Sequence, residues 1–299
     1  MDAMTIFMQL LVPGILVGGV YGLIAMGFVV TYRSAGVFNM AYGQFAIIGA
    51  FMAWTFIGSP VAPRLPLPLA YLCTFAASIV FGLLIERLLF RRMIGKPVFA
   101  TFMITLGLLA LLHSIVMLAW GPKSTALATA IPKGPVNLGN VVLAQEYIWS
   151  FAVAIVISLG MVFFFRGTRV GLAMRAAYED QVASRCLGVS AATNAKIAWS
   201  LSAVIATIGG ILIATVSGIN LMLSEMVLLV LAVVLIGGLD SLAGCIFGGM
   251  ILVIGQNLTS YYLGPLLPGI DGIFSMILIL VILLVRPTGL FGIKPIERV

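Results

Sequence analysis

"IFMQLLVPGILVGGVYGLIAMGFVVTY", residues 6–32, contains no charged side chain. It is longer than the ~20 apolar residues with which a helix crosses the hydrocarbon core of a bilayer. Eight further apolar segments follow, at about 36–58, 67–90, 98–120, 147–165, 196–217, 222–239, 242–263 and 270–285. A membrane barrel would instead show short segments of alternating polarity, which this sequence lacks. The chain reads as an all-α polytopic membrane protein, a bundle of eight or nine transmembrane segments, some of them broken or half-spanning. One transmembrane domain, 1–299, accounts for the whole length.

The composition agrees. Hydrophobic residues make up 62% and charged residues 8%, with a mean hydropathy of +1.22, whereas a soluble domain is roughly half apolar. Asp2 precedes the first apolar run and no basic residue does; a cleaved signal peptide wants a basic start, so the first span is expected to be retained. Cys73, Cys186 and Cys245 are scattered, with no spacing that suggests a disulfide or a metal site.

The formal charge of +7 is distributed with the topology. Of 16 Lys and Arg, only Arg64, Lys123 and Lys133 fall in the connectors around 59–66, 121–146, 218–221 and 264–269. The rest sit at Arg33, at Arg87, Arg91, Arg92 and Lys96, in the loop 166–197, and at Arg286, Lys294 and Arg298. Basic loops resist translocation, so nine spans imply an outer (periplasmic) N-terminus and a cytosolic C-terminus. No nucleic-acid partner is needed to explain the charge.

Two segments are interrupted. "RSAGVFNMAYGQFAIIGAF" (33–51) carries Asn39, Gly43 and Gln44, and "LIGGLDSLAGCIFGGMILVIGQN" (235–257) ends on Gln256 and Asn257. Irregular backbone at membrane depth is tolerated where protein or a watery cavity satisfies it, so paired breaks point to a substrate pathway. A tight turn at 237–244, and helix-to-helix hydrogen bonding by the amides, are the competing readings. Gly14, Gly18 and Gly22, four apart, define one helix face suited to close packing.

Enzyme chemistry is missing. His113 stands alone in the fourth segment, where it reads as a hydrogen-bond donor between helices. "WGPKST" (120–125) lacks the order of a phosphate loop. Glu86, Glu146, Glu225, Asp240 and Asp271 fall at segment ends rather than at mid-membrane, where an ion-coupled carrier would hold them. A pathway without its own energy source implies a partner that supplies one.

The polar exception is "RAAYEDQVASRCLGVSAA" (175–192). Asp180 suits a helix N-cap, Gly188 a left-handed C-terminal stop, and Ser190 the cap of the next helix. Between the stops, Val182, Ala183, Cys186 and Leu187 share one apolar face, with Gln181, Ser184 and Arg185 opposite. So short a helix is marginal alone, and its apolar face needs a cover: its own bundle, lipid headgroups or a partner.

This stretch, within 171–212, resembles the signature loop of the permeases of bacterial branched-chain amino-acid ABC importers, with its Arg-Ala start, acidic pair and Ala…Gly core. "GGVYGLIAMGFVVTYRSAGVFNMAYGQFAIIGAF" (18–51) resembles that family's opening; "VLIGGLDSLAGCIFGG" (234–249) and "RPTGLFG" (286–292) resemble its ending. The likeness runs over nearly the whole chain and is greatest to the shorter, LivH-type subunit. It implies a bacterial inner-membrane transporter subunit that is not itself an enzyme. Its partners would be a second, LivM-type permease, two cytosolic ATPases that bind ATP and Mg, and a periplasmic binding protein. In that family the loop helix is the coupling helix. Carried onto this sequence, Val182, Ala183, Cys186 and Leu187 are the docking face, Gly188 permits close approach, and Glu179, Asp180 and Arg185 form the rim. Gln181-Val182-Ala183 departs from the family, whose members often place a proline after the acidic residue. Branched-chain or related small amino acids are the implied cargo; urea, amides or aromatic acids are carried by relatives, and a stand-alone carrier or channel is the alternative.

Overall fold

The computed structural model describes residues 3–58, 65–93, 96–122, 124–138, 141–179, 181–220, 222–267, 269–286 and 288–292. Among them nine apolar helices follow the nine expected segments: α1 (Ala3–Ala35), α2 (Tyr42–Gly58), α3 (Leu67–Leu88), α4 (Val98–Trp120), α5 (Gln145–Gly167), α8 (Ala191–Ser217), α9 (Met222–Gly237), α10 (Leu242–Leu263) and α11 (Ile270–Val285). Two polar helices, α6 (Arg169–Glu179) and α7 (Gln181–Cys186), fill the long charged loop. Six of the nine are long enough to span a bilayer. At 16 or 17 residues, α2, α9 and α11 rise about 24–26 Å at 1.5 Å per residue, less than the ~30 Å of hydrocarbon.

The second segment is shorter than its apolar run for a local reason. Gly36, at φ +65°, leaves the helical region, and its amide closes the last turn of α1 on the Tyr32 carbonyl at 2.8 Å. The chain then runs without helix to a turn at 40–41 before α2 begins. The connector 121–146 holds a feature the sequence did not signal, an antiparallel hairpin of β1 (Pro135–Leu138) and β2 (Val141–Ala144).

Contacts divide the chain into two compact units, each gathered from distant segments. The first comprises 1–26, 131–158 and 228–299. Here α1 crosses α10 on the small-residue face. A Cβ on Gly18 would lie 2.6 Å from the Gly249 oxygen and the Met250 Cα, and one on Gly22 would lie 2.6 Å from the Ile246 Cα. Close backbone approach substitutes dispersion for the hydrophobic drive that lipid removes, so the Gly14/Gly18/Gly22 face is intramolecular packing. The turn between α9 and α10 is tight, with Gly238 at φ +101° and Ser241 accepting the Gly244 amide at 3.0 Å. The segment after α11 folds onto it: Leu290 N–H donates to the Ile236 carbonyl at 2.8 Å and Phe291 N–H to Gly237 at 3.2 Å. The motifs 234–249 and 286–292 therefore form one corner.

The second unit comprises 27–130 and 159–227 and is built around α8. Gly210 seats α8 on the Ala46 backbone of α2, and Gly82 of α3 would place a Cβ 2.6 Å from the Trp199 oxygen. Polar ties cross these apolar interfaces. Tyr42 Oη donates to the Ser202 carbonyl at 3.1 Å, Ser202 Oγ donates to the Gly27 carbonyl at 2.8 Å, and Ser78 shares a 2.7 Å bond with Thr207. Such bonds average about 0.6 kcal/mol each in a membrane bundle. The outer faces of α3 and α4 are apolar and exposed, as lipid-facing helices require.

Candidate functional site

The charged loop is two helices rather than one. Thr168 Oγ1 accepts the Gly171 amide at 3.0 Å and so starts α6. The apolar side of α6 is buried through Met174 and Ala177. Asn194 of α8 donates its Nδ2 to the Ala173 carbonyl at 3.3 Å. At the other edge, the Arg33 guanidinium of α1 lies 5.6 Å from the centre of the Tyr178 ring, and Tyr32 packs against Tyr178 at 6.1 Å. Helix α6 is thus pinned between the end of α1 and the first turns of α8. A cation over an aromatic face contributes about 0.5–1 kcal/mol where exposed and about 2 kcal/mol where desolvated, and this half-buried pair falls between. Neither Tyr178 nor Arg33 is distinguishable by pattern alone, because the contact joins residues 145 positions apart.

Helix α7 ends as its residues dictate. Gly188 is left-handed at φ +83°, and the Val189 amide reaches back to the Ser184 carbonyl at 3.0 Å. This is the six-to-one bond of a Schellman stop, in which glycine avoids the Cβ penalty. Ser190 then caps α8, its Oγ accepting the Thr193 amide at 3.3 Å. Asp180, expected to cap α7, lies outside the described residues, as do the side chains of Gln181, Val182 and Arg185.

The faces of α7 are the informative result. Ser184 is buried, whereas Ala183, Cys186 and Leu187 are exposed, Leu187 to 83%. Glu179 is exposed beside them, and a Cβ on Gly188 would meet nothing within 4 Å. Burial within the chain would turn the apolar side inward. Among the described residues, Cys186 and Leu187 are left uncovered.

The interrupted corner at 36–41 lies in the same unit. Tyr32 packs edge-on against Phe38 at 6.4 Å, and Thr105 Oγ1 of α4 donates to the Phe38 carbonyl at 3.2 Å. Asn39, next in the chain, is fully buried, and its Oδ1 accepts the Ala41 amide at 3.0 Å. That bond makes the turn that starts α2. Its Nδ2 has no hydrogen-bond partner among the described residues, and neither has Oε1 of buried Gln44. Gly43 is buried between them. One free donor and one free acceptor therefore stand five residues apart on one corner.

Gln256 and Asn257, grouped with these by sequence, belong to the first unit. Gln256 Nε2 donates to Ser275 Oγ of α11 at 2.8 Å, and Asn257 Nδ2 to the Leu10 carbonyl of α1 at 3.1 Å. Both tie helix to helix, and 237–244 is a tight turn. Glu86 closes the last turn of α3 as expected, yet it is fully buried. Its oxygens have no hydrogen bond among the described residues, and the charges acting on it are those of Arg91, Lys196 and Arg87. His113 is half-buried and takes no hydrogen bond among the described residues. No three His, Cys, Asp or Glu side chains gather into a metal-ligand cluster among those residues.

Six apolar helices of spanning length, three shorter ones and a polar helix pair define a multi-pass membrane protein. The family model described as branched-chain amino acid transport system / permease component matches residues 10–285, and the chain belongs to that family. It is 28% identical to the high-affinity branched-chain amino acid transport system permease protein BraD of Pseudomonas aeruginosa, over 98% of both chains. It is 27% identical to the LivH permease protein of Escherichia coli K12, again over 98% of both. A probable branched-chain amino acid transport permease protein LivH of Methanocaldococcus jannaschii is 25% identical over 92% of this chain and 90% of that one. Among solved structures, PsaBC from Streptococcus pneumoniae in complex with Fab aligns over 95% of each chain at TM-score 0.47 and 16% identity.

Proposed function

We propose that this chain is the permease subunit of an ATP-driven importer that moves branched-chain or related small amino acids from periplasm to cytosol. It pairs with a LivM-type permease and receives cargo from a periplasmic binding protein. It is driven by two cytosolic ATPases, which hold the ATP and Mg. The chain sits in the bacterial inner membrane with a periplasmic N-terminus and a cytosolic C-terminus, the orientation that puts the basic connectors inside.

One observation carries the coupling role: the apolar Cys186 and Leu187, exposed among the described residues, on a helix next to one pinned at Tyr178 and Ala173. An ATPase groove covers Cys186 and Leu187. Displacement of α7 shifts α6, and α6 is tied both to α8 and, through Tyr32 and Phe38, to the corner that holds Asn39. At that corner the free Asn39 donor complements an α-carboxylate and the free Gln44 acceptor an α-ammonium, the two groups every amino acid carries.

Gly188→Trp tests the coupling. At φ +83° a side chain costs roughly 1–2 kcal/mol, too little to unfold the chain, and its bulk enters the open space where the ATPase docks. Gly188→Ala imposes the strain without the bulk. In vesicles holding the assembled transporter, the Trp variant is expected to hydrolyse ATP without uptake while the Ala variant imports. Unchanged uptake by the Trp variant would sink the assignment.

A further inference from the structure

The turn between α3 and α4 carries Arg91, Arg92 and Lys96, and Arg87 sits one turn earlier on α3; all four are exposed. An apolar groove of about 650 Å³ lies between the two helices, lined by Leu84, Leu88, Met103, Gly107, Leu111 and Ile115 among others, with Leu88 the last residue of α3 before the turn. The groove exists because the hairpin helices pack elsewhere: α3 on α2 and α8, α4 on α2. Leu84 and Leu88 line it; α3 ends at Leu88, and Arg91 and Arg92 follow in a short 3-10 turn, Phe90–Arg92. Phe90 turns the other way and stacks on Trp199 at 4.1 Å. Glu86, the acid nearest in sequence, is buried and within reach of the charges of Arg91 and Arg87, so the four exposed cations leave a net positive charge at this end.

The dimensions admit an acyl chain. From Met103 to Ile115 the groove follows α4 for about 18 Å at 1.5 Å per residue, close to half of the ~30 Å hydrocarbon core and hence one leaflet. An extended acyl chain of one leaflet fits that length. The charge at its end matches a phosphate headgroup, since basic pockets between spanning helices attract anionic lipid.

We propose that the α3–α4 hairpin is a binding site for an anionic phospholipid, with an acyl chain in the groove and the headgroup phosphate against Arg91, Arg92 and Lys96. This reading is independent of the transported substrate.

Native mass spectrometry of the detergent-purified transporter tests it, with phosphatidylglycerol and phosphatidylethanolamine of identical acyl chains as probes. Each basic residue near an anionic surface is worth about fivefold in affinity, so the triple variant Arg91→Gln, Arg92→Gln, Lys96→Gln is expected to lose most of a phosphatidylglycerol preference on the order of 100-fold at low salt. It should still retain both lipids weakly. Gly107→Phe fills the slot, and because a Cβ there meets nothing the helix tolerates it; retention of both lipids is expected to fall. Three results each overturn the proposal: phosphatidylglycerol held equally by wild type and triple variant, lipid retention untouched by Gly107→Phe, or loss of the second permease from the Gly107→Phe complex, which would mark a helix as the occupant.

Discussion

Truncating Leu187 to alanine separates docking from folding. In the chain alone Leu187 is 83% exposed, so the truncation removes almost no packing. The stability of the isolated permease should stay within the ~0.5 kcal/mol typical of surface substitutions. If an ATPase groove covers the side chain, three carbons of burial are lost at about 0.8 kcal/mol each, roughly 2 kcal/mol in all. That corresponds to about thirtyfold weaker docking. The assay is a titration of labelled ATPase subunits against the permease pair in nanodiscs, with the melting temperature of the pair measured alongside. Leu187→Asp, which would bury a charge in the same groove, should abolish docking altogether. The reasoning fails if the alanine variant binds the ATPase within about threefold of wild type. It fails equally if the melting temperature of the free permease falls by several degrees, because Leu187 would then pack on its own chain.

Asn39 joins a structural bond to a free donor, and two substitutions divide them. Asn39→Ala loses a turn bond worth about 1 kcal/mol and Asn39→Ser retains one, but both lose the buried Nδ2; both should assemble and both should import slowly. Uptake per assembled complex decides, and a serine variant as active as wild type would leave Asn39 with its turn alone. Gly210→Leu drives a side chain into the Ala46 backbone, and overpacking of this kind typically costs 1–3 kcal/mol, more against rigid backbone. The expected result is little folded protein by fluorescence-detected gel filtration. Gly160→Ala, in a helix interior with nothing within 4 Å of the new Cβ, should fold at least as well, gaining up to ~1 kcal/mol of helix propensity.

Hydropathy, charge placement and capping act between neighbours in the chain, so the sequence by itself determined what they control. The nine apolar segments, the alternation of basic and neutral connectors, the stop at Gly188 and the cap at Ser190 depend on contiguous residues. The same local logic stretched the second segment to 36–58, because apolar side chains continue through a corner where Gly36 has already left the helix. It placed one helix between 180 and 188, where α7 lies, and did not signal α6 before it, which Asn194 and Arg33 hold from elsewhere.

Only the tertiary structure decided which faces meet. In lipid no hydrophobic drive sorts one apolar helix side from another; fit between small residues and a few hydrogen bonds does, and both depend on the partner surface. That is why Gln256 and Asn257, alike in sequence to Asn39 and Gln44, became ties between helices while the other two kept free polar atoms. It is also why Glu86 could be buried at the end of its span. Above all, a heptad-free run of six residues cannot say which way it faces. The fold turned Ser184 inward and left Leu187 outside, because α6, pinned at both edges, sets the rotation of the helix that follows it.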